Sequence, residues 1–262
     1  MVLDEIEPGT EIVGFQAILP CSDEICLGQI AQTEKLGLPD ALTRNSLAII
    51  ANGPSARGLD LRTFEGHTMA LNGSIQLFLE QGLCPTYWAC CDPQEQVADM
   101  LPENPPYNTT FLVASKCHPR VFHKLRNNDV LVWHIKDYPA EGRHRISLCS
   151  SITLSATWLM YRMGFTDFEY WGWDGCFMEG KHHASQDNDW STKPILYMNY
   201  GGKVENNEVV GGRTFTTTRT WAAEGKGAEQ FFQLAEYFDI GIKIHGDGMF
   251  ECVRKSIMEQ PA

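Results

Sequence analysis

The chain has 262 residues, 43% of them hydrophobic and 21% charged, enough for a substantial core and ordinary for a folded globular protein. Against 21 basic side chains stand 33 acidic ones, for a formal net charge of -12. With no basic stripe in the sequence, this balance excludes a nonspecific DNA or RNA binder, while a small phosphorylated ligand remains compatible with it.

The first residues, Met1 to Gly14, carry neither the basic start nor the apolar run of a secretory leader. The apolar runs elsewhere are too short to span a bilayer. The 9 cysteines are scattered without the spacing of a disulfide framework. These features predict a cytoplasmic protein with reduced thiols and no membrane span. Residues 1–43 read as an extension in which Ser22-Asp23 caps a helix running to Gly37, and residues 44–262 as one Rossmann-like domain.

From Ser46 the pattern changes. Ser46 to Ala51 is a short continuous apolar run, typical of a strand buried on both faces, and it breaks at Asn52-Gly53-Pro54-Ser55. The unit recurs. Thr68–Leu71 ends at Asn72-Gly73, with a helix expected to Gln81 and Gly82 as its stop. Tyr87–Cys91 ends at Asp92-Pro93, followed by a polar helical stretch. Thr110–Val113 and Val130–His134 are further strands. Ser151–Met163 is the clearest helix, capped by Ser150 or Ser151 and closed by Gly164. The strand Asp167–Gly172 then leads to Trp173-Asp174-Gly175. Residues 176–213, polar and rich in Gly, Asn and His, read as a long functional loop or lid. A final helix, about Ala228 to Phe238, precedes the strand Ile240–Ile244. Strands alternating with helices predict an α/β fold: a doubly wound, mostly parallel sheet with helices on both faces.

In such sheets ligands bind beyond the carboxyl ends of the strands. The residues expected there are Asn52-Gly53-Pro54-Ser55, Asn72-Gly73, Asp92-Pro93, Ser115-Lys116, Ser150-Ser151 and Asp174-Gly175. Gly53 would let the backbone approach a phosphate, and Ser55 and nearby amides would donate to it; the plainer alternative is an ordinary turn. Neither a Walker loop nor a Gly-x-Gly-x-x-Gly fingerprint occurs. Asp92 and Asp174 are candidate Mg²⁺ ligands, each alternatively a local cap. In Lys181-His182-His183 a histidine is a candidate general base and the lysine a phosphate partner, against a plain solvated loop. Zinc is not expected, because no Cys-x-x-Cys or His-Glu-x-x-His is present. Arg143, Arg145, Arg213 and Arg219 are candidates for an anion clamp or for surface ion pairs. Trp171 and Trp173 flank the site and are candidates to stack on a base.

Ser46 to Ser55, Ala70-Leu71-Asn72, Asp92-Pro93, Gly172-Trp173-Asp174 and Gly180 to Ala184 together resemble the 6-hydroxymethylpterin diphosphokinase (MptE-like) domain, which also occurs in motility-associated factors. The resemblance runs from about residue 44 to about residue 248, and includes a closing segment from Thr220 to Ile244. It implies a Rossmann-like fold and, in the pterin enzymes, Mg²⁺-dependent transfer of diphosphate from ATP to a pterin alcohol. The Asn-Gly-Pro-Ser opening also resembles bacterial family-42 sialyltransferases, which use a CMP-sugar. By this likeness Asn52, Gly53, Ser55, Asn72 and Ser151 would hold the nucleotide, with Asp92 and Asp174 near its phosphates or the metal. This sequence departs from the sialyltransferases in having Asp92 where they carry Asn, and in reading Trp173 to Phe177 where they are Tyr-rich. That departure tilts the expectation toward metal-assisted phosphate chemistry, with His182 or His183 as base. A glycosyltransferase and a non-catalytic nucleotide-binding module are the alternatives. The expected partners are a nucleotide and a small acceptor, and exposed sheet edges are compatible with a homodimer.

Overall fold

The computed structural model describes residues 46–135, 145–146, 151–181, 183–184, 195–205 and 208–258. The helix expected from Ser22 to Gly37, Ser150, Arg143 and His182 lie outside them. Seven strands come first: β1 (Ser46–Ile50), β2 (His67–Leu71), β3 (Tyr87–Cys90), β4 (Thr110–Ala114), β5 (Val130–Ile135), the two-residue β6 (Arg145–Ile146) and β7 (Asp167–Trp171). A separate antiparallel ribbon of β8 (Ile195–Glu205) and β9 (Glu208–Thr218) follows, and then β10 (Gly241–Ile244). All but the ribbon join one parallel sheet in the order β10-β7-β1-β2-β3-β4-β5-β6.

The continuous apolar runs form these strands because the sheet is covered on both sides. Ile49, Ile50, Met69, Ala70, Trp88, Ala89, Phe111, Leu112 and Val113 are all inaccessible to solvent. On one side lie the segment 54–66, α1 (Ile75–Glu80), the 3-10 stretch Glu95–Met100 and α2 (Pro119–Lys124). Polar side chains stitch this row together: Gln81 bonds Leu59 and Leu61, Gln76 bonds the Met100 carbonyl, and Arg120 bonds Asp99. On the other side lie α3 (Ile152–Arg162), α4 (Arg219–Tyr237) and α5 (Met249–Met258). Alternation along β7 separates the two faces: Tyr170 reaches Thr157 of α3, whereas Trp171 meets Phe64 of the segment 54–66.

The order of strands fixes where a ligand crevice can form. From β1 the chain steps outward through β2, β3, β4, β5 and β6. It then returns on the opposite face through α3 to β7, on the other side of β1, and continues outward to β10. The reversal falls between β1 and β7, and the carboxyl ends of these two strands flank the switch point of a doubly wound sheet.

The expected lid, residues 176–213, contains instead the whole of β8 and the first half of β9. The ribbon is anchored beside the β7 loop, where the Phe177 amide bonds the Thr216 carbonyl and the Thr217 hydroxyl bonds the Gly175 carbonyl. The helix expected from about Ala228 starts earlier, at Arg219. Thr218 caps it by accepting from the Trp221 amide, and its Gly225 is packed close against the Tyr200 hydroxyl. No helix of the described residues is long and apolar enough to cross a membrane.

Candidate functional site

The loop after β1 and the loop after β7 are built into one another. The Gly53 amide donates to the Gly172 carbonyl at 2.8 Å, and the Ser55 amide donates to Asp174 Oδ2 at 2.8 Å. Gly53 is required here by space: a β-carbon on it would meet Asp174 Oδ2 at 2.5 Å and run into the Gly172 carbonyl. Gly172, at φ 69°, would likewise collide with the Ala51 carbonyl, at 2.6 Å. Gly246, after β10, packs over the same carboxylate and Gly248 against the Asp174 backbone, which a β-carbon on Gly248 would meet at 2.6 Å. Asp174 is therefore 2% exposed. Burial pushes its carboxyl above the usual range, opposed by the Ser55 hydroxyl and amide.

This geometry decides which groups of the loop are left for a ligand. The amides of Gly53, Ser55, Ala56 and Arg57 all donate within the protein, and Pro54 has none. The loop thus offers a ligand no nest of free amides. Uncommitted polar atoms occur further along the same rim. Asn72, held at φ 49° after β2 with its carbonyl bonded by Trp88 Nε1 at 2.9 Å, has a buried Oδ1 with no hydrogen-bond partner among the described residues. The same is true of Ser115 Oγ after β4. Unpaired buried acceptors and hydroxyls are rare enough in proteins that each asks for a ligand or a water. Gly73 is buried beside Asn72, and Ser74 ties β2 to β1 by donating to the Ile50 carbonyl at 2.6 Å.

Ser151 is the N-cap of α3, its Oγ accepting from the Leu154 amide at 3.3 Å. As the helix starts at the rim, its first-turn amides face the crevice side of the sheet with the positive end of the dipole. His183 stands against the β1 loop: its Nδ1 lies 3.2 Å from the Asn52 carbonyl, which also accepts from the Ala184 amide at 2.9 Å. A carbonyl only accepts, so Nδ1 carries the proton, and in the neutral ring the lone pair is on Nε2. Lys181 is exposed at the end of a tight turn, pairing its backbone with Met178.

Asp92 is separate from this centre. β7, β1, β2 and β3 are successive neighbours, so the ends of β7 and β3 stand about 14 Å apart at ~4.8 Å per strand. Asp92 Oδ1 accepts from the Gln94 amide at 2.9 Å, and burial pushes its carboxyl up, opposed by that amide. No group of three or more His, Cys, Asp or Glu side chains placed to hold a metal occurs among the described residues. Trp171 and Trp173 are not open platforms: Trp171 stacks on His245 at 3.6 Å with Phe64 at its edge, and Trp173 packs among Tyr170, Phe232 and Phe250. Arg213 pairs with Asp247. A cavity of about 330 Å³ lies at the amino ends of β4 and β5, on the opposite rim, lined by Arg120, His123, Lys124 and Arg126 among others.

One residue of the site region escaped the sequence. Glu224, in the second turn of α4, is 6% exposed, and its Oε1 accepts from Trp173 Nε1 at 2.9 Å. Burial pushes its carboxyl up to about 7, against the opposing hydrogen bonds from Ser151 and Trp173.

The fold has counterparts among solved structures. The MAf glycosyltransferase from Magnetospirillum magneticum AMB-1 superposes with a TM-score of 0.56 at 10% identity, over 85% of this chain and 38% of its own. This chain therefore shares that protein's fold while spanning well under half of its length. A thiamin pyrophosphokinase from Geobacillus thermodenitrificans gives a TM-score of 0.31 at 14% identity, over 76% of this chain and 59% of its own, too low to carry an argument. No protein-family model matches the chain, and no curated protein does.

Proposed function

We propose that the chain is a nucleotide-dependent transferase that binds its donor at the β1–β7 switch point, and that the donor is a nucleotide-sugar. The observation that carries this is His183: the bond from Nδ1 to the Asn52 carbonyl fixes a tautomer whose basic nitrogen sits at the nucleotide loop. In the transfer, the acceptor hydroxyl oxygen forms a bond to the anomeric carbon while the bond from that carbon to the phosphate oxygen breaks. The nucleotide leaves with the electron pair, and His183 Nε2 takes the hydroxyl proton. The first-turn amides of α3 would face the leaving phosphate, and Asn52, Ser55 and Asn72 would fix the nucleoside. The shared fold with a protein named as a glycosyltransferase supports this donor class, as does the separation of Asp92 from Asp174.

A second donor, ATP, is favoured by Asp92 itself, a half-buried carboxylate at the same rim. It would hold Mg²⁺ together with waters and phosphate oxygens, and the product would be a diphosphorylated alcohol.

The test is turnover. CMP-sugars, UDP-sugars and ATP are offered with a panel of small alcohols and sugars, with Mg²⁺ or EDTA, to the wild type and His183→Ala. Release of the nucleotide from a sugar donor in EDTA, lost about 10²- to 10⁴-fold in the variant, is the expected result. Mg²⁺-dependent conversion of ATP to AMP, abolished by Asp92→Asn, would favour the second donor. Binding without turnover of any donor would leave a non-catalytic module and overturn the proposal.

A further inference from the structure

The cavity at the amino ends of β4 and β5 takes no part in the proposed transfer. β4 is 5 residues long and spans about 16 Å at ~3.3 Å per residue, so this cavity and the donor rim stand at opposite ends of the strand. Its volume of about 330 Å³ is at the lower end of the range that takes small molecules, with room for roughly ten waters. One wall is the segment 103–107 before β4; the other is the end of α2 with residues 126–128. Side chains brace the two together. Asn128 Nδ2 donates across to the Pro105 and Pro106 carbonyls at 3.3 and 3.2 Å, and Lys124 Nζ donates to the Leu101 carbonyl at 2.8 Å.

The charges on those walls do not cancel. Arg120 is neutralised, since Asp99 and Glu95 both pair with it. Lys124 and Arg126 have no carboxylate partner among the described residues. The Lys124 ammonium bonds a carbonyl, and the Arg126 guanidinium bonds the His123 carbonyl at 3.0 Å and lies 3.4 Å from His123 Nε2. A single acid, Glu103, lines the cavity against them. In a chain of formal net charge -12 this positive excess is local, and it sits in a concave site, where a field is focused. Beside it Asn104 and Asn127 bring side-chain amides that bond nothing among the described residues, and Tyr107 brings a ring that is 76% exposed.

The geometry points to a second binding site in this cavity, for a small polyhydroxylated molecule that carries a phosphate or carboxylate group. Lys124 and Arg126 hold the anion, each through N–H groups left over from its internal bond. The Asn104 and Asn127 amides, each a donor and an acceptor, suit the hydroxyls of the ligand body, and the Tyr107 ring suits its C–H groups. Glu103 opposes the anion, so the site binds less tightly than its cations alone would allow.

The experiment is calorimetric titration of glucose 6-phosphate, glucuronate and glucose into the full chain, as wild type, Lys124→Gln, Arg126→Gln, Glu103→Gln and, as a control at the donor rim, Asn72→Gly. Each is first checked by circular dichroism to be folded. At least one of the two anionic sugars should bind the wild type, less tightly as salt is raised, and the tighter of the two names the head group. Arg126→Gln and Lys124→Gln should each bind it about tenfold more weakly, the loss of one charge-assisted hydrogen bond. Glu103→Gln should bind it a few-fold more tightly, and Asn72→Gly should bind it as the wild type does. Lys124→Gln also loses the brace to Leu101; should it not fold, the exposed Arg126 and Glu103 still decide the matter. The inference falls if neither anion binds the wild type at millimolar concentration, or if glucose binds as tightly as its 6-phosphate. It falls equally if folded Arg126→Gln and Glu103→Gln bind as the wild type does, or if Asn72→Gly alone weakens binding, which would put the anion at the donor rim. None of these results touches the turnover that tests the donor site.

Discussion

Replacing Glu224 with Gln should change the pH dependence of stability by an amount that follows from its burial. The carboxyl rises from 4.5 to about 7 in the folded chain because α4 holds it away from water between Ser151 and Trp173. The folded state therefore keeps its proton more tightly than the unfolded state does. The resulting stabilisation is complete below the unfolded value of 4.5 and is lost as pH rises through about 7. At 1.36 kcal/mol per decade this amounts to about 3 kcal/mol for a fully buried group. Gln has no charge to bury. Relative to the wild type, Glu224→Gln should gain about 3 kcal/mol of stability between about pH 4.5 and about pH 8. In a chain of this size that corresponds to a relative displacement of roughly 6–12 °C in Tm. Asp92 and Asp174 are also pushed up by burial, but their contribution is common to both proteins and cancels in the difference. Urea unfolding of the two proteins across this range measures it. A difference that stays level with pH would refute the burial of an ionisable Glu224.

Three further outcomes follow from the loops at the switch point. Gly53→Ala places a β-carbon 2.5 Å from Asp174 Oδ2 and should cost about 1–3 kcal/mol or more in thermal unfolding, whereas alanine at Gly58, where nothing lies within 4 Å, meets no such contact. Asp174→Ala leaves the Ser55 amide without its acceptor and should destabilise by about 1–3 kcal/mol, readable in the same assay. His183→Ala should lower kcat by about 10²- to 10⁴-fold while leaving nucleotide affinity within a few fold, since the Ala184 amide still holds the segment on the Asn52 carbonyl.

Much of the sheet was legible because its strands are buried on both faces. Runs such as Leu47–Ile50, Tyr87–Cys90 and Phe111–Ala114 are apolar, and each breaks at a polar stretch where the strand leaves the core. The start and stop of α3 were legible from Ser151 and Gly164 for reasons of capping. The ribbon was not. β8 and β9 carry Gly201, Gly202, Gly211 and Gly212, and the exposed Tyr197 and Thr214 break the apolar alternation that marks a half-buried strand. Its register rests on backbone pairing, which leaves little trace in composition.

At the rim, the loops after β1 and β7 were legible as strand ends, but not how they fit together. Asn52, Ser55 and Asp174 meet because β1 and β7 are neighbours, an adjacency that requires the chain to double back through α3. Asp92, equally polar and equally placed at a strand end, is set apart by two intervening strands. Glu224 was missed because Gly225 and Gly227 made the start of α4 look broken. Its position was nonetheless marked, for residues 224, 228, 231, 232 and 235 fall on one helical stripe and all are buried. A lone acid on an apolar stripe is the signal that would have found it.

The central claim is that a nucleotide occupies the rim at the end of β1 and β2, and Asn72→Gly tests it most directly. Glycine adopts the φ of 49° at this position more readily than asparagine does, so the fold is kept and the loss is a half-buried side chain whose buried Oδ1 has no protein partner among the described residues. Titrations of CMP, a CMP-sugar, UDP-sugars and ATP, with and without Mg²⁺, should show one class binding the wild type and binding Asn72→Gly about tenfold more weakly at unchanged Tm. A nucleotide that binds both proteins equally, or no binding to the wild type at all, would contradict the account.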